Sequence, residues 1–306
     1  MPINTADLLF SAIKETVAGT TPTTGTRLEI PVKTDQAPPV RNTSQIEDET
    51  KRPNREGNAP SSGHAMTEWD LSMVSRGGAL MDLLIESAIS GTFAGTSPVK
   101  AQGGTADSTF TVVSVLKTGT SGNALVYEDA GCMARSWSVT ASAKEGAEVQ
   151  FGILGTKRTE KTSDNSLTVT KTPASAVRHL YSDVNVTIAG QALAYSSLEF
   201  STEQERDVRV VLGQISASDI YTTGKRKTTL TLKAYRESFA VNALANAVMS
   251  VSFTIGTTGN GYKVTIPAAK LMTPTDELDA SGLLVALEFE ASYDTVTDTG
   301  LVIEKL

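Results

Sequence analysis

The chain has 306 residues, long enough for two domains each burying its own core, and its 34 acidic against 27 basic residues give a formal net charge of −7. That balance excludes a protein that grips nucleic acid through a basic face, although an acidic wall still lets DNA pass without holding it. A single cysteine, Cys132, excludes an intramolecular disulfide framework and fits a reducing compartment, and no apolar run approaches the roughly 18 residues of a membrane span. With no basic stretch and apolar signal core at its start, the chain is expected to be made in a cytoplasm without membrane insertion. Thr, Ser, Ala and Val are abundant and aromatic residues are only 6%, which suits strands and turns more than helical bundles.

In chain order, residues 5–18 place Leu8, Leu9, Ile13 and Val17 on one helical stripe and predict a short amphipathic helix. A Thr/Gly/Pro linker leads to a strand at 27–32. Residues 36–63 hold many prolines and charges of both signs and almost nothing apolar, so they cannot bury enough surface to fold alone; they are a docking arm or a mobile loop. A strand at 66–74 and a helix at 77–90 follow, then a Gly/Thr/Ser loop to 109 and strands at 110–116, 124–127, 136–142 and 147–154. Residues 156–177 are polar and form the connection between two halves, with a strand possible at 167–170.

The later half carries the clearest strand grammar. Leu198-Phe200 and Val208-Val210-Leu212 alternate as half-buried strands do, with a charged turn expected between them at Glu203–Asp207. A short helix is expected at 239–250. Gly259-Asn260-Gly261 sits between alternating runs and predicts a tight hairpin turn, and 283–293 alternates apolar and acidic residues.

The chain offers no reactive constellation. The histidines are only His64 and His179, both expected to be solvated, and neither they nor Cys132 have metal-ligand spacing. The carboxylate clusters lack a flanking apolar pocket that would raise a pKa. Catalytic, cofactor-binding and metal residues are therefore none, and no cofactor is implied. Lys225-Arg226-Lys227 is expected to make salt contacts between subunits.

Four matches, all in the same order, suggest an internal duplication. Residues 27–30 resemble 197–200; Trp69-Asp70-Leu71 with its helix resembles Leu230-Thr231-Leu232 with its helix; 110–113 resembles 262–265; and 136–142 resembles 286–292. The expected fold class is mainly β, two tandem β-sandwich or barrel modules of residues 1–172 and 173–306, each with a short flanking α-helix.

Four stretches, SWSVTASAKEGAEVQFGILGTK (136–157), SSLEFSTEQERDVRVVLGQISASDI (196–220), KTTLTLKAYRESFAVNALANAVMSVSFTI (227–255) and the closing GYKVTIPAAKL with GLLVALEFEASYD, resemble the major tail tube proteins of long-tailed bacteriophages. The likeness is clearest over residues 130–294. It implies a non-enzymatic virion protein whose strands join a closed barrel of many subunits, in rings stacked into a tube that carries phage DNA as transient cargo. A doubled chain implies trimeric rings of pseudo-sixfold symmetry.

The implied partners are further copies of the chain and other tail proteins, namely the tape measure, the tail tip and the tail terminator. The implied site is the polar face of the barrel strands, Ser138, Thr140, Glu199, Ser201, Glu288 and Glu290, as lumen lining; the same residues would otherwise face solvent outside a tube. The implied arm to the adjacent ring is 36–63, with Arg41, Glu47, Asp48, Lys51, Arg52 and Arg55. The alternative is a β-sandwich receptor-binding or tail-tip/fibre module, which low aromatic content disfavours.

Overall fold

The structure, a computed structural model, describes residues 8–47, 60–117, 124–143, 145–164, 167–171, 177–188, 193–279 and 282–306. These residues are mainly β. The first part supplies β1 (Leu9–Lys14), β2 (Arg27–Glu29), β3 (Val40–Ile46), β4 (Ser61–Val74), helix α1 (Ala79–Ile89), β5 (Lys100–Gln102), β6 (Phe110–Lys117), β7 (Leu125–Ser142), β8 (Glu148–Gly155), β9 (Lys157–Lys161) and β10 (Val169–Thr170). The rest supplies β11 (Val184–Ile188), β12 (Tyr195–Arg209), β13 (Asp219–Tyr235), β14 (Val248–Thr257), β15 (Asn260–Leu271), β16 (Thr275–Asp279), β17 (Gly282–Ser292) and β18 (Val302–Lys305). One-turn 3-10 helices lie at Tyr181–Asp183 and Ala240–Leu244.

One layer runs β3-β4-β8-β7-β12-β13-β17-β16, with every neighbouring pair antiparallel. Packed on it are two ribbons. The first is β9-β7-β6-β1-β2-β10, in which only β2–β10 is parallel; the second is β11-β14-β15-β18-β5. Strands β7 and β15 belong to both layers: β7 pairs with β6 and β9 through its first half and with β8 and β12 through its second. Strand β15 pairs with β18 near its start and with β17 at 268–271. The sheet does not close on itself.

A strand can change layers only where its backbone bends. In β7 that place is Gly131, at φ 63°, a left-handed value that costs an ordinary residue about 1–2 kcal/mol. A Cβ there would stand 2.3 Å from Thr156 Oγ1, and the Gly131 N–H donates to buried Glu15 at 2.8 Å.

Between the layers the inward residues of alternating strands meet. Phe151, Trp137, Phe200 and Phe253 form a chain of rings 6.3, 5.0 and 5.3 Å apart, the last contact joining β12 to β14 across the layers. Each such pair contributes about 0.5–1.5 kcal/mol beyond the area it buries. Helix α1 is sandwiched over β7 and β12 with Leu83, Leu84, Ile85 and Ala88 buried, and Asp82 accepts from the Tyr262 hydroxyl at 2.8 Å.

Several sequence expectations change. Of the predicted helix at 5–18, residues 5–7 lie outside the described residues and the rest holds strand β1 instead: it pairs with β2 and β6 on its two edges and even Ser11 is fully buried, so sheet pairing overrides the helical stripe. The helix expected at 239–250 is a single 3-10 turn followed by β14, which pairs along β15, so only one α-helix flanks the sheet among the described residues. Thr258 and Gly259 form the β14–β15 turn, Gly259 at φ 80°, while Asn260 and Gly261 already pair as strand. Glu203–Asp207 is not a turn but part of β12, with Gln204 and Arg206 buried and Glu203, Glu205 and Asp207 exposed.

Candidate functional site, a polar face on an open sheet

Strand pairing gathers the six predicted face residues into two rows. Ser138 lies opposite Ser201, Ser201 opposite Thr229, and Thr229 opposite Glu290. One step along the strands, Thr140 lies opposite Glu199, Glu199 opposite Thr231, and Thr231 opposite Glu288. Thr140, Glu199, Glu288 and Glu290 are exposed and the others half-buried. Their neighbours along the same strands, Trp137, Val139, Leu198, Phe200, Leu230, Leu232, Leu287 and Phe289, are at most 3% exposed and form the core. The period of two therefore divides one sheet into an apolar side and a Ser/Thr/Glu side.

The polar face is predominantly acidic. Glu148 is met by Lys33 and Glu277 by Lys233, each at 2.7 Å, and the Lys233 ammonium is held above its usual range first by its hydrogen bond to Glu277 and then by that carboxylate's charge. Lys270 lies opposite Glu290. Glu199 and Glu288 stand two strands apart in one row, about 10 Å at ordinary strand spacing.

Of the predicted arm, Arg41 is on β3 opposite Thr67 and Glu47 follows the strand, exposed. Asp48, Lys51, Arg52 and Arg55 lie outside the described residues. The described flanks make the arm a β3–β4 hairpin.

Sequence reasoning missed a second hairpin at the same end of the sheet. The outer parts of β12 and β13 run on past β7 as a ribbon whose tip exposes Val210, Val211, Ile215 and a fully exposed Leu212. The tip leans on β4, where the Ala65 N–H donates to Ile215 O at 2.7 Å. Its base is fastened by two guanidiniums, that of Arg206 buried and that of Arg226 half-buried. Arg206 donates to Ala134 O at 2.5 Å, Ser90 Oγ at 2.7 Å and Asp107 at 3.0 Å; Arg226 donates to Ile89 O and Gly104 O at the end of α1. Burial pushes Arg206 down to about 10, against the pull of Asp107. The signal was an arginine on the inward phase of an alternating strand, Thr202-Gln204-Arg206-Val208. Arg226 thus caps a helix of its own chain.

His179 is buried rather than solvated. Its Nδ1 lies 2.9 Å from Ser75 Oγ and its Nε2 2.7 Å from Asn260 O, so its second nitrogen is turned to a backbone carbonyl instead of an orienting carboxylate. Burial, partly opposed by Asn260 O and Asp183, lowers its pKa below 6.5. The ring joins the loop after β4 to the β14–β15 turn. His64 is half-buried and hydrogen-bonds Ser44. Burial likewise raises the Cys132 thiol, which is 1% exposed. Among the described residues no three His, Cys, Asp or Glu side chains gather as a metal site.

A broad sheet with one apolar and one polar face, and its remaining polar clusters turned inward to fasten strands, defines a structural part. Residues 5–291 match the phage tail tube protein family, and the chain belongs to that family. The family is structural rather than enzymatic and belongs to the virion tail. No curated protein matches the chain. No helix among the described residues is long and apolar enough to cross a membrane.

Proposed function

We propose that the chain is a tube subunit that assembles into stacked rings of three copies, and that the Ser/Thr/Glu face lines the channel through which phage DNA passes. The observation that carries this reading is the pair of rows Ser138-Ser201-Thr229-Glu290 and Thr140-Glu199-Thr231-Glu288, on a sheet left open at both edges. Carboxylates on such a wall repel phosphates, and hydroxyls wet it without adding charge. Both hairpins, β3–β4 and β12–β13, then reach the adjacent ring from one end, the second with its apolar tip. The tape measure, tail tip and tail terminator proteins are the further partners of this reading.

Three copies follow from an internal duplication, residues 1–172 and 173–306. Strand pairing supports it: the ladder β1-β6-β7-β9 has the connectivity of β11-β14-β15-β18, and β3-β4-β8-β7 that of β12-β13-β17-β16. Leu230 stands 161 positions after Trp69, both inward-facing, as Ala240 stands 161 after Ala79 at the two helical starts. In this alignment β12 answers to β3, β14 to β6, β17 to β8, and β15 with β16 to β7, which keeps the match of Trp69-Asp70-Leu71 with Leu230-Thr231-Leu232 and replaces those of 27–30 with 197–200, 110–113 with 262–265 and 136–142 with 286–292.

Negative-stain electron microscopy of the purified protein, with the mass of the soluble fraction, tests the reading. Stacked rings or hollow tubes with threefold subunit content are expected. A monomer or closed trimer that never stacks, even with a tail initiator complex present, refutes it and favours the receptor-binding alternative.

A further inference from the structure

We infer that the second module carries an apolar shelf, Phe239, Leu278 and Leu283, on which the stretch leading into β1 of a neighbouring copy docks. This rests on the tube reading above; residues 1–7 of that stretch lie outside the described residues.

Inside one chain the corresponding place on the first module is already covered. The stretch leading into β11 crosses the β7–β8 turn: the Ala147 N–H donates to His179 O at 3.0 Å, the Tyr181 N–H donates to Glu145 O at 3.1 Å, and Gly146 bridges Leu180. The His179 N–H donates in turn to Ser75 O at 3.1 Å, after β4. Gly146 and Ala147 are buried beneath this stretch.

The duplication says which residues take these places in the second module. Shifts of 161 for β4 onto β13 and 136 for β8 onto β17 turn the pair Leu71–Phe151 into Leu232–Leu287. A shift of 137 for β7 onto β15 and β16 turns Val139–Val149 into Asp276–Val285. With 139 for β6 onto β14, Val112–Asp129 becomes Val251–Ile266; with 176 for β1 onto β11, Phe10–Ser114 becomes Val186–Phe253. Two bonds outside the ladders obey the same shifts: Ser75 N–H to Ala147 O, 2.9 Å, is matched by Arg236 N–H to Leu283 O, 3.0 Å. Gly282 likewise stands 136 after Gly146.

The place that is covered in the first module is bare in the second. Leu283 is 44% exposed where its counterpart Ala147 is 0%, Leu278 opposite it is 87% exposed, and Phe239, whose ring lies 5.0 Å from the Arg236 guanidinium, is 74% exposed. Apolar groups gathered like this mark a contact surface. In a ring of three doubled chains, the step from first to second module inside a copy recurs from the second module of that copy to the first module of the next. The stretch leading into β11 then answers to the stretch leading into β1. Two features of sequence favour that occupant. Asp183, whose Oδ2 accepts from the Leu180 N–H at 2.8 Å and shapes the covering stretch, answers to Asp7, 176 positions earlier. Side-chain sizes also trade across the contact: Ala147 becomes Leu283, while Leu180 and Tyr181 become Asn4 and Thr5, so a bulkier floor meets a slimmer cover.

The test is a full-length chain with Leu283→benzoylphenylalanine, a photo-cross-linking side chain, assembled, irradiated, denatured and digested with trypsin. Two-chain species are expected in which position 283 is joined to residues 1–14, the first tryptic peptide, and the unassembled chain should give none. Tubes in which position 283 joins any other peptide, including the hairpin tip within 210–225, or joins nothing, overturn the contact and leave the tube reading intact. Should the variant not assemble, hydrogen exchange on the unaltered protein decides: the Leu283 backbone amide is expected to slow at least about tenfold on assembly, and to lose that protection in tubes of a chain lacking residues 1–7. Unchanged exchange, or protection that survives the deletion, overturns the proposal. An unaltered protein that never assembles removes the tube reading and this contact with it.

Discussion

Arg158→Met tests the buried network that anchors the edge strand β3. The Arg158 guanidinium, 7% exposed, grips fully buried Asp129 through Nε at 2.8 Å and Nη2 at 2.9 Å. Nη2 also donates to Pro39 O at 2.8 Å, immediately before β3, and Thr67 on β4 donates to the same carboxylate at 3.0 Å. Methionine keeps the length of the stem and its packing near Tyr127 but leaves Asp129 with one protein donor in the interior. Breaking a buried pair in this way costs about 3–5 kcal/mol, because the remaining charge is uncompensated. Burial already raises the Asp129 pKa above 3.8, with Arg158 the main opposing influence, so removing Arg158 raises it further. A carboxyl whose folded pKa is raised binds more protons folded than unfolded; its contribution is fully present below 3.8 and is lost as pH rises through the folded value. The variant's deficit therefore narrows on acidification. Urea unfolding of the unassembled subunit at pH 7 and pH 5 measures it, and adding Asp129→Asn to the variant should recover part of the loss. A loss below about 1 kcal/mol at pH 7, or an equal loss at both values, would refute the account, since it would mean that Asp129 does not depend on its partner.

Three further outcomes are expected. Because the His179 pKa is lowered, the folded state keeps the ring neutral while the unfolded chain protonates; that stability is present above pH 6.5 and declines as pH falls through the folded value, and His179→Gln should flatten this part of a urea-midpoint profile. Gly131→Ala should cost at least about 1–2 kcal/mol in the same assay, from the left-handed backbone alone, with the Thr156 contact adding to it. Glu199→Lys and Glu288→Lys sit on an exposed face and should change stability by less than about 0.5 kcal/mol; assembled tails carrying them should eject DNA poorly while tubes remain intact in micrographs, and normal infectivity would count against the lumen assignment.

The candidate face was legible because period-two alternation needs only local sequence: Glu199 and Ser201, or Glu288 and Glu290, fall on the phase opposite to Leu198, Phe200, Leu287 and Phe289. Their gathering into two rows was not, because register depends on which distant strand is chosen and every alternating strand offers a similar surface. Beyond the face, the errors have a common cause. The helices expected at 5–18 and 239–250 carry good helix formers, yet 9–14 of the first pairs with β2 and β6, and the second keeps only a 3-10 turn at 240–244 before β14 begins at Val248 and pairs with β15, so pairing outweighs propensities worth a few tenths of a kcal/mol per residue. The polar string at 203–207 looked like a turn because only alternate residues declare the strand, and two of those, Gln204 and Arg206, are polar side chains whose inward partners are Gly224 O, Ala134 O and Ser90.

Open edges such as those of β3 and β16 invite indiscriminate pairing, and both carry features that limit it. Strand β3 is entered through Pro38 and Pro39, and β16 through Pro274, residues that lack the N–H a partner strand would use and confine pairing to a short segment. Neither edge is apolar: β3 reads Val-Arg-Asn-Thr-Ser-Gln-Ile and β16 Thr-Asp-Glu-Leu-Asp. Main-chain hydrogen bonds at such an edge are available to any strand, so they give affinity without selectivity. Selectivity falls to the side chains: a second β16 would set carboxylates against carboxylates, whereas the one charged residue of β3 is Arg41. The same sequence features that blunt both edges thus narrow the range of strands that can pair with them.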